Sequence, residues 1–131
     1  MTRNLIAYGI LIATFPALDI AWFAGLAHGF YQAEIGRLLN PALQLAPAAA
    51  FYALYAAGVL TFVLSPRARL GWRATALAAA FFGLVAYGTF DLTCLALMRG
   101  FTLAAGVVDI AWGVFATTAA ASLARLALVR S

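Results

Sequence analysis

The sequence predicts an all-α integral membrane protein: a four-helix transmembrane bundle with both termini cytoplasmic and a short interfacial helix between the first two spans. Three observations predict it. First, the 131 residues are 66% hydrophobic and 9% charged, with mean hydropathy +1.01, whereas a soluble domain is about 45–50% apolar and ~25% charged. So few charges cannot cover a water-facing surface, and lipid must solvate most of it. Second, four apolar runs are each long enough to cross a bilayer, which takes roughly 20 helical residues. Third, every one of the eight basic residues is an arginine placed at the end of such a run. At this length residues 1–131 are expected to form a single membrane domain.

Composition also excludes some functions. A net charge of +4 can mark a nucleic-acid binder, but these arginines form no basic face that could track phosphates. Their expected role is headgroup anchoring, with membrane lipids as partners. Cys94 is the sole cysteine, which rules out an intrachain disulfide, a thiolate metal cluster and a Cys-x-x-Cys pair. His28 is the sole histidine, a weak basis for zinc without further ligands. No Ser–His–Asp set or glycine-rich phosphate loop is present, so no metal and no cofactor is expected.

The first span runs from about 5 to 27. Arg3 ahead of an apolar stretch resembles a signal peptide, but the apolar character persists past Asp19, so the segment is read as a retained span. Pro16 removes the hydrogen bond to the Ile12 carbonyl and is expected to kink the helix one turn before Asp19. From His28 to Gln44, Phe30, Tyr31, Ile35, Leu38 and Leu39 interleave with Gln32, Glu34, Arg37 and Asn40. That pattern suits a short amphipathic helix in the interface, ended by Asn40-Pro41. Glu34 and Arg37, three apart, read as a solvated pair.

The second span covers about 45–64 and is expected to stop at Ser65-Pro66. Ala49, Ala53 and Ala57 recur every four residues, a seam for close helix approach. The third span covers about 74–97, with Ala79, Gly83, Tyr87 and Asp91 on one face. The tight turn Met98-Arg99-Gly100 leads into the fourth span, about 101–123 or beyond, where Gly106, Asp109, Gly113, Thr117 and Ala120 share a face. This topology puts Arg3, Arg67, Arg69, Arg73, Arg125 and Arg130 on one side and Arg37 and Arg99 on the other. The positive-inside rule makes the first side cytoplasmic.

Three of the four acidic residues lie inside spans. Asp19 and Asp109 open two copies of Asp-Ile-Ala-Trp, at 19–22 and 109–112, and Asp91 lies in Tyr87-Gly88-Thr89-Phe90-Asp91. At 1.5 Å per residue, Asp19 and Asp109 are about 12 Å and Asp91 about 9 Å from the outer span ends. Tyr52 and Tyr55 fall at about 10–15 Å. The carboxylates therefore share a layer in the outer half of the membrane. Each costs about 2.5–3.5 kcal/mol to insert, roughly 8–10 together. Three close carboxylates in a low dielectric cannot all ionise, and at least one is expected to carry a proton near neutral pH.

The candidate ligand- or proton-binding set is Asp19, Asp91, Asp109, Trp22, Trp112, Tyr52, Tyr55, Tyr87 and Thr93, with Arg99 or His28 within reach from the outer boundary. Spans one and four run in opposite directions, which makes the two motifs halves of one site. Trp22 lies outward of Asp19 and Trp112 inward of Asp109, so the indoles are expected to bracket the carboxylates. An anionic site with aromatic walls suits a cation.

These residues carry a resemblance. The chain is similar to the domain-of-unknown-function family 2177, small bacterial integral membrane proteins. The resemblance rests on Leu18-Asp19 with Trp22, Phe30-Tyr31, Phe51-Tyr52 with Tyr55 and Gly58, Ala86 to Thr93, Arg99-Gly100, and Asp109 to Gly113. Cys94 stands where members usually carry asparagine. The resemblance implies four spans, a multi-pass location in the bacterial inner membrane and the same aspartates, and supplies no substrate.

Three functions stay open on the sequence. The first is binding or transport of a proton, a cation or a cationic amphiphile at the aspartates. The second is a membrane enzyme working on a lipid or isoprenoid by carboxylate acid–base chemistry. The third is an accessory subunit of a larger membrane complex. The small-residue seams also allow a homo-oligomer.

Overall fold

The computed structural model describes residues 2–129, and every regular element among them is helical. Four helices are long and apolar enough to cross a membrane: α1 (Thr2–Leu26), α3 (Leu45–Leu70), α4 (Trp72–Leu97) and α5 (Leu103–Val129). A short helix, α2 (His28–Ile35), continues as one 3-10 turn, Gly36–Leu38, between the first two. The spans alternate in direction. Arg3, Arg67, Arg69, Arg73 and Arg125 gather at one end, whereas Arg37 and Arg99 mark the other. Arg130 lies outside the described residues.

Helix α5 is the centre of the bundle. In its most apolar stretch 44% of residues are buried, against 22% in each other span. Small side chains make this possible, because Ala105, Ala116, Ala120, Ala121 and Ala124 are wholly enclosed. Helix α4 packs closest to it. A Cβ added at Gly83 would lie 2.7 Å from the Gly113 carbonyl oxygen and 2.9 Å from Thr117 Oγ1. One added at Gly113 would overlap the Tyr87 ring. The two glycines thus let the backbones approach and give the tyrosine a seat, as small residues do where helices pack without a hydrophobic driving force. On the outside, Leu5, Leu54, Leu77, Phe90 and Phe115 are all exposed. This apolar jacket is the surface that lipid would cover.

Two spans depart from α geometry. Helix α1 stays α-helical through Pro16 to Asp19, and the expected break at the proline is displaced to a π-helical stretch, Ile20–Leu26. There the Ala27 N–H donates to the Trp22 carbonyl at 2.8 Å, five residues back. Helix α3 likewise does not stop at Ser65-Pro66. It turns π-helical over Leu60–Leu64, resumes as α over Ser65–Arg67 and closes with a 3-10 turn to Leu70. Pro66 has no N–H for the Phe62 carbonyl four residues back, and Arg67 Nη1 donates to that oxygen instead, at 2.7 Å. The true stop is Gly71, whose φ of 118° favours glycine.

Ala49, Ala53 and Ala57 are exposed rather than packed on a neighbouring helix. The stretch 45–54 of α3 is exposed apart from the half-buried Ala48 and Tyr52, and the Tyr8 hydroxyl of α1 donates to the Ala53 carbonyl at 2.9 Å. Helix α2 is more than a surface float. Tyr31 and Ile35 are buried in a small cluster with Ala27 and Ala105, packed by Phe23 and Phe101. Glu34 is not an ion-pair partner of Arg37; its carboxylate accepts from Thr102 Oγ1 at 2.6 Å. The same hydroxyl oxygen accepts the Ala105 N–H at 3.1 Å, capping the start of α5.

Candidate functional site

Asp19, Asp91 and Asp109 are all buried, at 7%, 0% and 8% exposure. Each comes from a different helix, and the donors around them differ. Trp112 Nε1 donates to Asp19 Oδ1 at 2.9 Å, and the Tyr52 hydroxyl donates to the other oxygen. Tyr31 donates to Asp109 Oδ1 at 3.0 Å, and the Tyr31 oxygen accepts from Trp22 Nε1 at 3.2 Å. The two Asp-Ile-Ala-Trp copies are therefore crossed. The tryptophan of the second serves the aspartate of the first directly, and the tryptophan of the first serves the aspartate of the second through Tyr31.

The indoles do not bracket the carboxylates. They stack face to face, centroids 4.6 Å apart and planes within 2°. The antiparallel course of α1 and α5 brings Trp22 and Trp112 side by side, and the π-helical stretch that begins at Ile20 departs from α spacing just where Trp22 must turn. At van der Waals contact the rings leave no room for a cation between them.

Asp91 is the exception among the three. Neither of its oxygens has a hydrogen-bond partner among the described residues. The Asp109 carboxyl is its nearest acidic neighbour, with the Cys94 thiol close by. One turn before it, buried Gly88 faces open space, since a Cβ there would meet nothing within 4 Å. Among the described residues no compensating cation approaches, because His28, Arg37 and Arg99 are all exposed at their end of the bundle.

The remaining candidates divide. Tyr55 joins the layer through a 2.7 Å hydrogen bond with Thr117 Oγ1 and an edge contact with Phe15. Tyr87 packs on Gly113 and meets Tyr55 edge-on at 6.0 Å. Thr93 does not belong to the site. It is exposed, and its hydroxyl donates to the Thr89 carbonyl at 2.6 Å, because two positions beyond Asp91 a helical residue faces away.

Tyr31 is the member of this layer that sequence reasoning missed. It lies nine residues beyond Trp22 on α2, in a segment read as interfacial, and its phenol reaches into the layer. The available signal was the spacing of Tyr31 and Ile35, which marks the buried stripe of a short helix. Burial pushes the Tyr31 phenol above its ordinary value, and the neighbouring Asp109 adds to the effect.

Fold and site together define a small polytopic membrane protein whose four helices enclose a layer of carboxyl and aromatic groups. The chain belongs to the DUF2177 family, described as a predicted membrane protein, whose model matches residues 4–126. No curated protein and no solved structure matches it.

Proposed function

We propose that this is a bacterial inner-membrane protein, its arginine-rich end in the cytoplasm, that takes up and releases a proton at the Asp91–Asp109 carboxyl pair. One observation carries the reading: Asp91 is fully enclosed, both its oxygens lack a donor among the described residues, and its titratable neighbour is another acid. Burying an ionised carboxylate without a partner is costly, and the usual relief is to bind a proton. A pair of adjacent acids shares one more readily than it holds two negative charges. Asp19 has a different role, because its two donors already stabilise a carboxylate, and it holds α1, α3 and α5 together.

A proton is favoured over a larger cation or a cationic amphiphile. The indoles that would flank a cation are in contact with each other. Among the described residues no three His, Cys, Asp or Glu side chains converge in a way that could hold a metal ion. The arginine distribution supports the orientation, through the positive-inside rule.

The test is infrared difference spectroscopy of the protein in liposomes during a pH titration. A neutral carboxylic acid C=O band is expected in the parent, lost in Asp91→Asn and shifted in Asp109→Asn, and retained in Asp19→Asn. A band at neutral pH that survives Asp91→Asn, or no carboxylic acid band at neutral pH in the parent, would sink the proposal. A second reading, an accessory subunit, draws on the outward-facing Ala49, Ala53 and Ala57. Under it, a stoichiometric membrane partner should co-purify and be lost when Ala53 is replaced by Phe.

A further inference from the structure

At the end opposite the carboxylate layer, helices α1, α3 and α5 leave a cavity of about 250 Å³. Leu64 and Leu128, both buried, line it on the apolar side. Arg3, Asn4, Ser65 and Arg69 supply its polar side. Two guanidinium groups, an amide and a hydroxyl all offer hydrogen-bond donors. No acidic residue offsets them, since Asp19, Glu34, Asp91 and Asp109 all belong to the other half of the molecule. Two other arginines at this end, Arg67 and Arg125, are engaged with the backbone. Arg67 donates to the Phe62 carbonyl, and Arg125 Nε donates to the Ala68 carbonyl at 2.9 Å.

We infer that this cavity binds the phosphate of an anionic phospholipid, with the headgroup among Arg3, Asn4, Ser65 and Arg69 and the apolar side against the start of the acyl region. Three features favour a lipid. The donors lie at the span ends, where headgroups are found. The site combines charge with an apolar wall, which a free anion would not use. A water occupies about 30 Å³ of liquid, so the volume equals roughly eight waters and holds a phosphate with a small polar substituent. Basic pockets between transmembrane helices take anionic headgroups by this combination of charge and shape. The inference does not depend on the proton site.

Native mass spectrometry of the purified protein with added phosphatidylglycerol, phosphatidylcholine or inorganic phosphate tests it. One phosphatidylglycerol should be retained, with phosphatidylcholine binding far more weakly. Each arginine contributes about fivefold at a lipid surface, so Arg3→Gln with Arg69→Gln should weaken retention about thirtyfold. Arg99→Gln, at the other end, should leave it unchanged. Equal retention of both lipids, no loss in the double variant, or displacement of phosphatidylglycerol by inorganic phosphate alone would overturn the inference. Should the double variant fail to fold, the parent protein still decides. Phosphatidylglycerol retention must fall as salt rises, and salt-independent retention overturns it.

Discussion

Replacing Asp19 by asparagine takes one acceptor from a carboxylate that receives two donors, Trp112 Nε1 at 2.9 Å and the Tyr52 hydroxyl. The amide keeps one oxygen and presents an NH2 group where the other was. One donor then loses its acceptor or must turn, and a buried orphan costs about 1–3 kcal/mol. Interhelical hydrogen bonds inside membrane proteins average about 0.6 and reach about 1.7 kcal/mol, which draws the expectation down to about 1–2. Asp91→Asn is the matched comparison, the same chemical change at a carboxyl with no donor to orphan. Its expected effect on stability is smaller than that of Asp19→Asn, since no donor loses its acceptor. Reversible unfolding of each variant in bicelles, followed by steric trapping, reads the difference. If Asp91→Asn costs as much as Asp19→Asn, Asp91 receives a structural donor as Asp19 does, and the division of labour between the aspartates is wrong.

Other expectations follow from the packing. Gly113→Ala should cost about 1–3 kcal/mol, because its Cβ would overlap the Tyr87 ring, and Gly83→Ala should cost about the same by pushing α4 off α5. Gly88→Ala, with open space before it, should be neutral or gain up to about 1 kcal/mol in thermal unfolding. A double-mutant cycle on Trp22→Leu and Trp112→Leu should return a coupling of about 0.5–1.5 kcal/mol from the stacked rings. Tyr31 carries a pH signature. Its phenol is held protonated by burial, so its contribution to stability is complete below about pH 10 and falls as pH rises further, when the unfolded chain ionises first. Tyr31→Phe should make the alkaline loss of stability shallower, as followed by denaturation at stepped pH.

Much of the bundle was legible because the bilayer imposes it. Apolar length marks a span, and spacing by three or four placed Ala79, Gly83 and Asp91 on one buried face and Gly106, Asp109, Gly113 and Thr117 on another. Counting residues brought three aspartates to a common layer. What counting could not supply was rotation. Trp22 sits in a π-helical stretch, where α-helical spacing no longer tells which way a side chain points, so the stacked indoles were out of reach. Ala49, Ala53 and Ala57 have the same spacing as a packing seam and face outward, because periodicity marks a face without saying what covers it. Tyr31 was hidden for a related reason. A half-polar segment of eight helical residues reads as interfacial whether or not one phenol reaches inward.

The crossed pairing of the two Asp-Ile-Ala-Trp copies has a consequence for how the chain can change over time. Position 112 is answerable to position 19, and position 22, through 31, to position 109. Neither copy can drift alone without leaving a donor or an acceptor stranded in the other. Among family members these residues should therefore be exchanged in linked pairs across the two ends of the sequence, 19 with 112 and 22 with 31 and 109. Position 91 receives no donor from either copy, and its one tie is to position 109, so a change at 91 should track 109 and leave 19, 22 and 112 free.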